Sequence, residues 1–119
     1  MNLSVFDQMA LSSFTSLEKQ SIYQLLCGAM HIDGICDNRE IATINKVNEI
    51  MKITVADVEA SRKLNETTMV GCLRNMDTLK KIYVAKFMAQ VILADGHVDP
   101  KEEMFFNYIQ QKLDLPNIE

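Results

Sequence analysis

An eight-residue pattern, Asp-Gly-x-x-Asp-x-x-Glu, occurs twice in this chain, at Asp33-Gly34, Asp37 and Glu40 and again at Asp95-Gly96, Asp99 and Glu102. Carboxylates are hard oxygen donors, and six of them brought together would suit Ca²⁺ or Mg²⁺ rather than zinc. Two carboxylates about 6 Å apart repel by about 3 kcal/mol at an effective dielectric of about 20, and a divalent cation relieves that repulsion. The candidate metal-ligating residues are therefore Asp33, Asp37, Glu40, Asp95, Asp99 and Glu102. The pattern is not an EF-hand, because the alternating acids at loop positions 1, 3 and 5 and the closing glutamate at position 12 are missing.

Part of the pattern has a plainer use. Asp37 with Glu40, and Asp99 with Glu102, have the spacing of capping boxes, and a cap stabilises a helix by about 0.5–2 kcal/mol with no ligand at all. Gly34 and Gly96 suit the left-handed turn that closes a helix. Asp33 and Asp95 fit less easily. Each ends a helix, where the negative pole of the macrodipole disfavours an acid by about 0.3–1 kcal/mol. Their recurrence points either to an Asx-type bond into the following turn or to shared cation ligation.

Other reactive side chains form no constellation. His31 and His97 occupy non-equivalent positions in the two copies, so no duplicated histidine site is expected. The three cysteines, Cys27, Cys36 and Cys72, are odd in number and include no CxxC pair, as expected of a reducing compartment. The eight methionines suit gap-filling in a core. With no nucleophile–His–acid set, phosphate loop or zinc-ligand spacing, the expected function is binding rather than catalysis.

The acidic pattern is the centre of a longer repeat. Residues 23–54 align without gaps on residues 85–116; Asn45/Asn107 also match, Arg39/Lys101 is conservative, and the apolar pairs Leu26/Met88, Met30/Ile92, Val47/Ile109 and Met51/Leu113 stay in phase. Each copy reads as a helix-loop-helix hairpin, and the two are expected to be related by a pseudo-twofold. Ile22, Leu25, Leu26, Ala29 and Met30 trace one face of the first hairpin helix, opened by the Thr15–Glu18 capping box. The next helix runs from Asp37 toward Lys52 with Ile41, Ile44, Val47 and Met51 on its apolar side.

A further helix starts at Thr54, and a short one carries Met69, Cys72, Leu73 and Met76. The longest is expected from Asp77 to Ala94. Its apolar residues, Leu79 through Leu93, cover almost every face, which predicts the most buried helix of a bundle. The last opens at Asp99-Pro100 and packs through Met104, Phe105, Phe106, Ile109 and Leu113. Phe6, Met9, Leu11 and Phe14 lie outside the repeat, as a covering first helix or as a partner surface. The expectation is all-α: one domain over residues 1–119, a helical bundle of about five to seven helices.

Composition narrows the partners. Apolar residues make up 48% and charged residues 24%, with a net charge of −4 and a pI near 5.1; this argues against nucleic acid, where a basic face supplies most of the affinity. The most apolar stretch, Ile82–Leu93, carries Lys86 and Gln90 and is too short to span a bilayer. The N-terminus has no basic, apolar leader pattern. A cytoplasmic protein that is not integral to a membrane is expected, acting on a protein partner.

The duplicated Asp-Gly-x-x-Asp-x-x-Glu in paired helical hairpins resembles the TerB-like family, named for a tellurite-resistance protein and shared with the N-terminal part of a DnaJ-like cochaperone. The resemblance covers residues 23–54 and 85–116. It implies an α-helical bundle whose acidic loop residues bind a divalent metal and which acts in stress-response complexes rather than as an enzyme. By position, the implied ligands are the same six acids. The alternative is a metal-independent interaction domain in which those acids only cap helices.

Overall fold

Helices in this chain begin where a short polar side chain can satisfy a backbone N–H that would otherwise lack a partner. The computed structural model describes residues 4–30, 38–94 and 100–115. Among these, the chain forms seven helices and no strand: α1 Val5–Ser12, α2 Ser16–Met30, α3 Asn38–Met51, α4 Val55–Ser61, α5 Glu66–Arg74, α6 Thr78–Ile92 and α7 Pro100–Lys112. Reciprocal capping boxes open three of them. The backbone N–H groups of Asp7, Glu18 and Asp57 donate to Ser4 Oγ, Thr15 Oγ1 and Thr54 Oγ1 at 3.0, 3.2 and 3.1 Å, while the three acids accept in return from the cap backbones. Asn65 and Asp77 cap α5 and α6 through the N–H groups of Thr68 and Lys80 at 2.7 and 2.9 Å.

The helix boundaries themselves repeat. Shifted by 62 residues, α2 falls on α6 end for end, α3 falls on α7 to within a residue, and α1 falls on α5 to within a residue. The caps Thr15 and Asp77 are equivalent, as are the buried pairs Leu11/Leu73, Ile22/Val84, Leu25/Phe87, Ala29/Val91 and Met51/Leu113. Packing follows the same exchange: α2 lies on α3 as α6 lies on α7, while α3 crosses to α6 and α7 to α2. The duplicated unit thus contains three helices, one more than the acidic hairpin alone suggests.

The ends of α3 and α7 make the likeness closest. In α3 the N–H of Ile53 donates to Asn48 O at 2.8 Å and that of Lys52 to Glu49 O at 3.3 Å; in α7 Leu115 and Asp114 repeat both bonds to Gln110 and Gln111 at 2.8 and 3.3 Å. These are Schellman closures, which need a left-handed residue and favour glycine there. The chain places Lys52 (φ 56°) and Asp114 (φ 55°) instead. Aspartate tolerates this region better than lysine does. Lys52→Gly is therefore expected to stabilise the fold by about 0.5–1 kcal/mol, and Asp114→Gly by less, as read from urea-denaturation midpoints.

The helix α4 has no counterpart in the repeat and bridges its two halves. Gln20 and Gln24, one turn apart on α2, hold it: Gln20 Nε2 donates to Asp57 Oδ1 at 3.3 Å, and Gln24 Nε2 to the carbonyls of Ser61 and Leu64 at 3.1 and 2.9 Å.

The helix α6 buries Tyr83, Val84, Ala85, Phe87, Met88, Val91 and Ile92, so the burial expected of Phe87, Val91 and Ile92 is observed. Its extent is shorter than expected: at 15 residues it equals α2. Not every apolar residue on these helices faces inward. Ile41 and Met104 are exposed, against the packing role expected for them, and so are Leu79 and Leu93 near the ends of α6. Ile41 lies in the opening turn of α3, where Glu40 is buried, and in the opening turn of α7 Glu102 is buried likewise. On α1 the apolar residues divide: Leu11 and Phe14 are buried, whereas Val5, Phe6 and Met9 are 74%, 67% and 68% exposed.

Candidate functional site

Helices α3 and α7 open where expected, whereas α6 ends at Ile92, short of the Asp95-Gly96 expected to close it. Helix α3 starts directly after Asp37, and α7 starts at Pro100, directly after Asp99. Asp33, Asp37, Asp95 and Asp99 lie outside the described residues, as do Gly34, Gly96, His31, His97 and Cys36. The remaining two candidates, Glu40 and Glu102, are described and are both buried, at 3% and 2% exposure.

That burial is deeper than at the capping acids in the same helix position, Asp57 at 9% exposure and Glu18 with its side chain at 13%. Removing a carboxylate from water costs several kcal/mol unless its surroundings compensate. Here the inward turn occurs twice, at equivalent positions of α3 and α7. Glu40 and Glu102, with the cations Arg39 and Lys101 beside them in sequence, all interact with their surroundings. Sequence spacing identified both glutamates as acids of interest but carried no signal for their depth.

The packing of α2 bears on how the two loops relate. Near its start, Glu18 Oε1 accepts from Lys80 Nζ of α6 at 2.8 Å. Near its end, a Cβ on Gly28 would sit 3.8 Å from Phe105 Cζ of α7. The last turn of α2 thus lies against the early part of α7. The C-terminal end of α2 and the N-terminal part of α7 therefore lie at the same end of the bundle. Among the described residues, no group of three or more His, Cys, Asp or Glu side chains is placed to hold a metal ion. The chemistry of Glu40 and Glu102 fits hard cations as oxygen donors, and any fuller set would draw on the four aspartates of the loops.

At the opposite, N-terminal end of α2 the electrostatics are structural. Tyr83 donates its hydroxyl proton to Asp7 Oδ1, pinning α1 to α6. Burial, with the hydrogen bond to Asp7 and its negative charge, pushes the Tyr83 phenol up to about 12. The Tyr83 bond and the Ser4 donors hold the Asp7 carboxyl below its ordinary value. Lys80 Nζ also sits 5.4 Å from the centre of the Phe14 ring, a cation–π contact.

A second concave feature was not legible in the sequence. Helices α1, α2 and α3 enclose an open cleft of about 530 Å³ whose floor includes Leu11, Ile50 and Met51 and whose rim carries Lys19, Lys46 and Lys52 with Glu49. Three lysines spread over 34 positions of an acidic chain form no run; only the packing of α2 on α3 gathers them.

No protein-family model matches the chain, and no curated protein matches it. A solved structure similar to it is that of a protein of unknown function from Porphyromonas gingivalis W83, with a TM-score of 0.76 at 22% identity over 99% of this chain and 88% of that one. The likeness shows the all-α fold to be shared. Among the described residues, no helix is long and apolar enough to cross a membrane.

Proposed function

We propose that this chain is a non-enzymatic TerB-like module that takes a divalent cation, Ca²⁺ or Mg²⁺, at its duplicated acidic loops and acts through a protein partner, in the cytoplasm and in stress response. The observation that carries the reading is the matched burial of Glu40 and Glu102 at the roots of both loops. Two inward carboxylates at equivalent places offer hard oxygen donors beside Asp33, Asp37, Asp95 and Asp99. The meeting of the last turn of α2 with the early part of α7 supports a shared site. Supporting the partner role is the absence of a catalytic set from the sequence.

Calorimetric titration with Ca²⁺ and Mg²⁺ tests the reading. Saturable binding is expected, and the cation should stabilise the native state by about 2.7 kcal/mol at 100 times its Kd. Asp33→Asn with Asp95→Asn should abolish the heat while the far-UV circular dichroism stays helical. A flat titration would favour the second reading, a metal-independent interaction domain in which the acids only cap. That alternative draws on the boxes at Ser4, Thr15 and Thr54, which cap α1, α2 and α4 in the same way.

A further inference from the structure

The duplicated unit provides its own control for surface features that folding does not require. Lys19 and Lys52 of the first half correspond to Lys81 and Asp114 of the second. In the second half those two form an ion pair at 3.9 Å. Nearby, Lys112, which stands where Ile50 stands in the first half, lies 3.9 Å from Glu66 and donates to the Tyr108 hydroxyl at 2.9 Å. In the first half the same backbone positions carry two ammonium groups, and Lys46 replaces Tyr108 to add a third. None of the three lysines makes a side-chain hydrogen bond or ion pair among the described residues. Lys19 is near enough to Asp57 for its charge to be felt there, but Asp57 is already held by Thr54 and Gln20. Among the described residues lining the cleft, Glu49 alone is set against these three cations, although the chain as a whole is at −4.

The apolar surface beside the cleft diverges in the same way. On α1, Gln8 and Ser12 form one wall of the cleft. At the spacing of a helix, Val5 and Met9 follow directly on that wall, with Phe6 beyond them. All three are largely exposed. Their equivalents on α5 are Thr67, Thr68 and Gly71, so the architecture forms without apolar residues there. An apolar strip beside a cationic cleft is the complement of a helix with an apolar face and an acidic edge.

We infer that the cleft between α1, α2 and α3 docks an acidic amphipathic helix of a partner protein, with its apolar side chains on Val5, Phe6 and Met9 and its carboxylates on Lys19, Lys46 and Lys52. This surface is separate from the acidic loops and does not depend on the cation proposed for them. The attraction is charge-complementary, so it sets partner choice and on-rate and weakens with salt.

Fluorescence anisotropy on the full chain tests the inference. The probe is a labelled 18-residue helical peptide of leucine and glutamate with leucines along one face. Its controls are the same peptide with lysine for glutamate and a scrambled isomer with no apolar face. The acidic amphipathic peptide should bind in the micromolar range and lose about tenfold in affinity from about 0.05 to about 0.3 M salt. Lys19→Glu with Lys46→Glu should weaken it at least tenfold, as should Phe6→Ser with Met9→Ser. Lys81→Glu with Lys112→Glu, in the second half, should leave it unchanged, and so should EDTA. Equal binding of all three peptides, no measurable binding, or insensitivity to Lys19 and Lys46 would overturn the inference. Displacement of the peptide by dodecanoate at one molecule per chain would assign the cleft to a small anionic amphiphile instead. A dimer in sedimentation velocity that Lys46→Glu dissolves would assign it to a second copy. Either result overturns the partner helix. Because EDTA is without effect on the expected result, a flat Ca²⁺ titration and a failed peptide titration remain separate outcomes.

Discussion

Phe87→Ala should lower the unfolding free energy by about 3–5 kcal/mol, the cost of an aromatic ring removed from a core that cannot collapse onto the vacancy. Phe87 is buried at the middle of α6 and packs against Tyr83, the ring centres 6.2 Å apart and tilted by 32°. The same change on α1, Phe6→Ala, should cost no more than about 0.5 kcal/mol, because Phe6 is exposed. Urea unfolding followed by circular dichroism measures both. Equal losses at the two sites would mean that α6 is not the centre of the bundle.

Lys80→Ala should be the next most damaging change, at about 2–3 kcal/mol. It breaks a largely buried ion pair and leaves the Glu18 carboxylate inside without its counter-charge. Both side chains are mostly covered, the nitrogen is 2.8 Å from Glu18 Oε1, and Phe14 loses its cation–π contact as well. Met at position 80 should do nearly the same damage despite its similar volume. A double-mutant cycle with Glu18→Gln isolates the pair. The pair also makes stability depend on pH. Burial alone pushes the Glu18 carboxyl up, but hydrogen bonds from Lys80 and from the Thr15 backbone and hydroxyl, with the Lys80 charge, outweigh it and hold the group below its ordinary 4.5. The folded-state value therefore lies below the unfolded one. Its contribution is complete above that range and is lost as the pH falls through it. Asp57 adds to the same loss: burial opposes, but bonds from Thr54 and Gln20 and the Lys19 charge leave it lowered too. The melting temperature of the native chain should fall more steeply between about pH 5 and about pH 3 than that of Glu18→Gln.

The helices were legible because local chemistry dictates them. The Thr15–Glu18 box was read as a cap and serves as one, and Thr54 and Asp77, read as helix starts, cap their helices. The apolar spacing of α6 named Phe87, Val91 and Ile92 correctly. What escaped was whatever depends on the far side of the molecule. Ile41 has the helical phase of Ile44 and Val47 but lies in the opening turn of α3, where Glu40 is turned inward. Periodicity reports a face, not how far along the helix that face stays covered. The repeat was recognised from its acidic motif and was therefore drawn too short. Between α1 and α5 only Leu11/Leu73 is an identity, and the buried pair Phe14/Met76 shares no residue type, too little for matching by identity to find. Of the candidate cation ligands, sequence supplied all six names, and the described structure adds the burial of the two glutamates. The lysine cleft had no linear signal at all, since its cations come from two helices and the turn that ends one of them.

The bridge made by α4 has a consequence for how the molecule holds together. Two separate three-helix chains meeting through the faces of α2, α3, α6 and α7 would be a homodimer, and its folded fraction would fall on dilution. Joined through α4, the halves stay at a fixed effective concentration and cannot part. Covalent union also frees them from having to remain identical. One half pairs Lys81 with Asp114, while the other sets Lys19 and Lys52 on an open cleft. A symmetric dimer would carry two copies of whatever either surface binds; this chain carries one, and so engages a ligand of that cleft one to one.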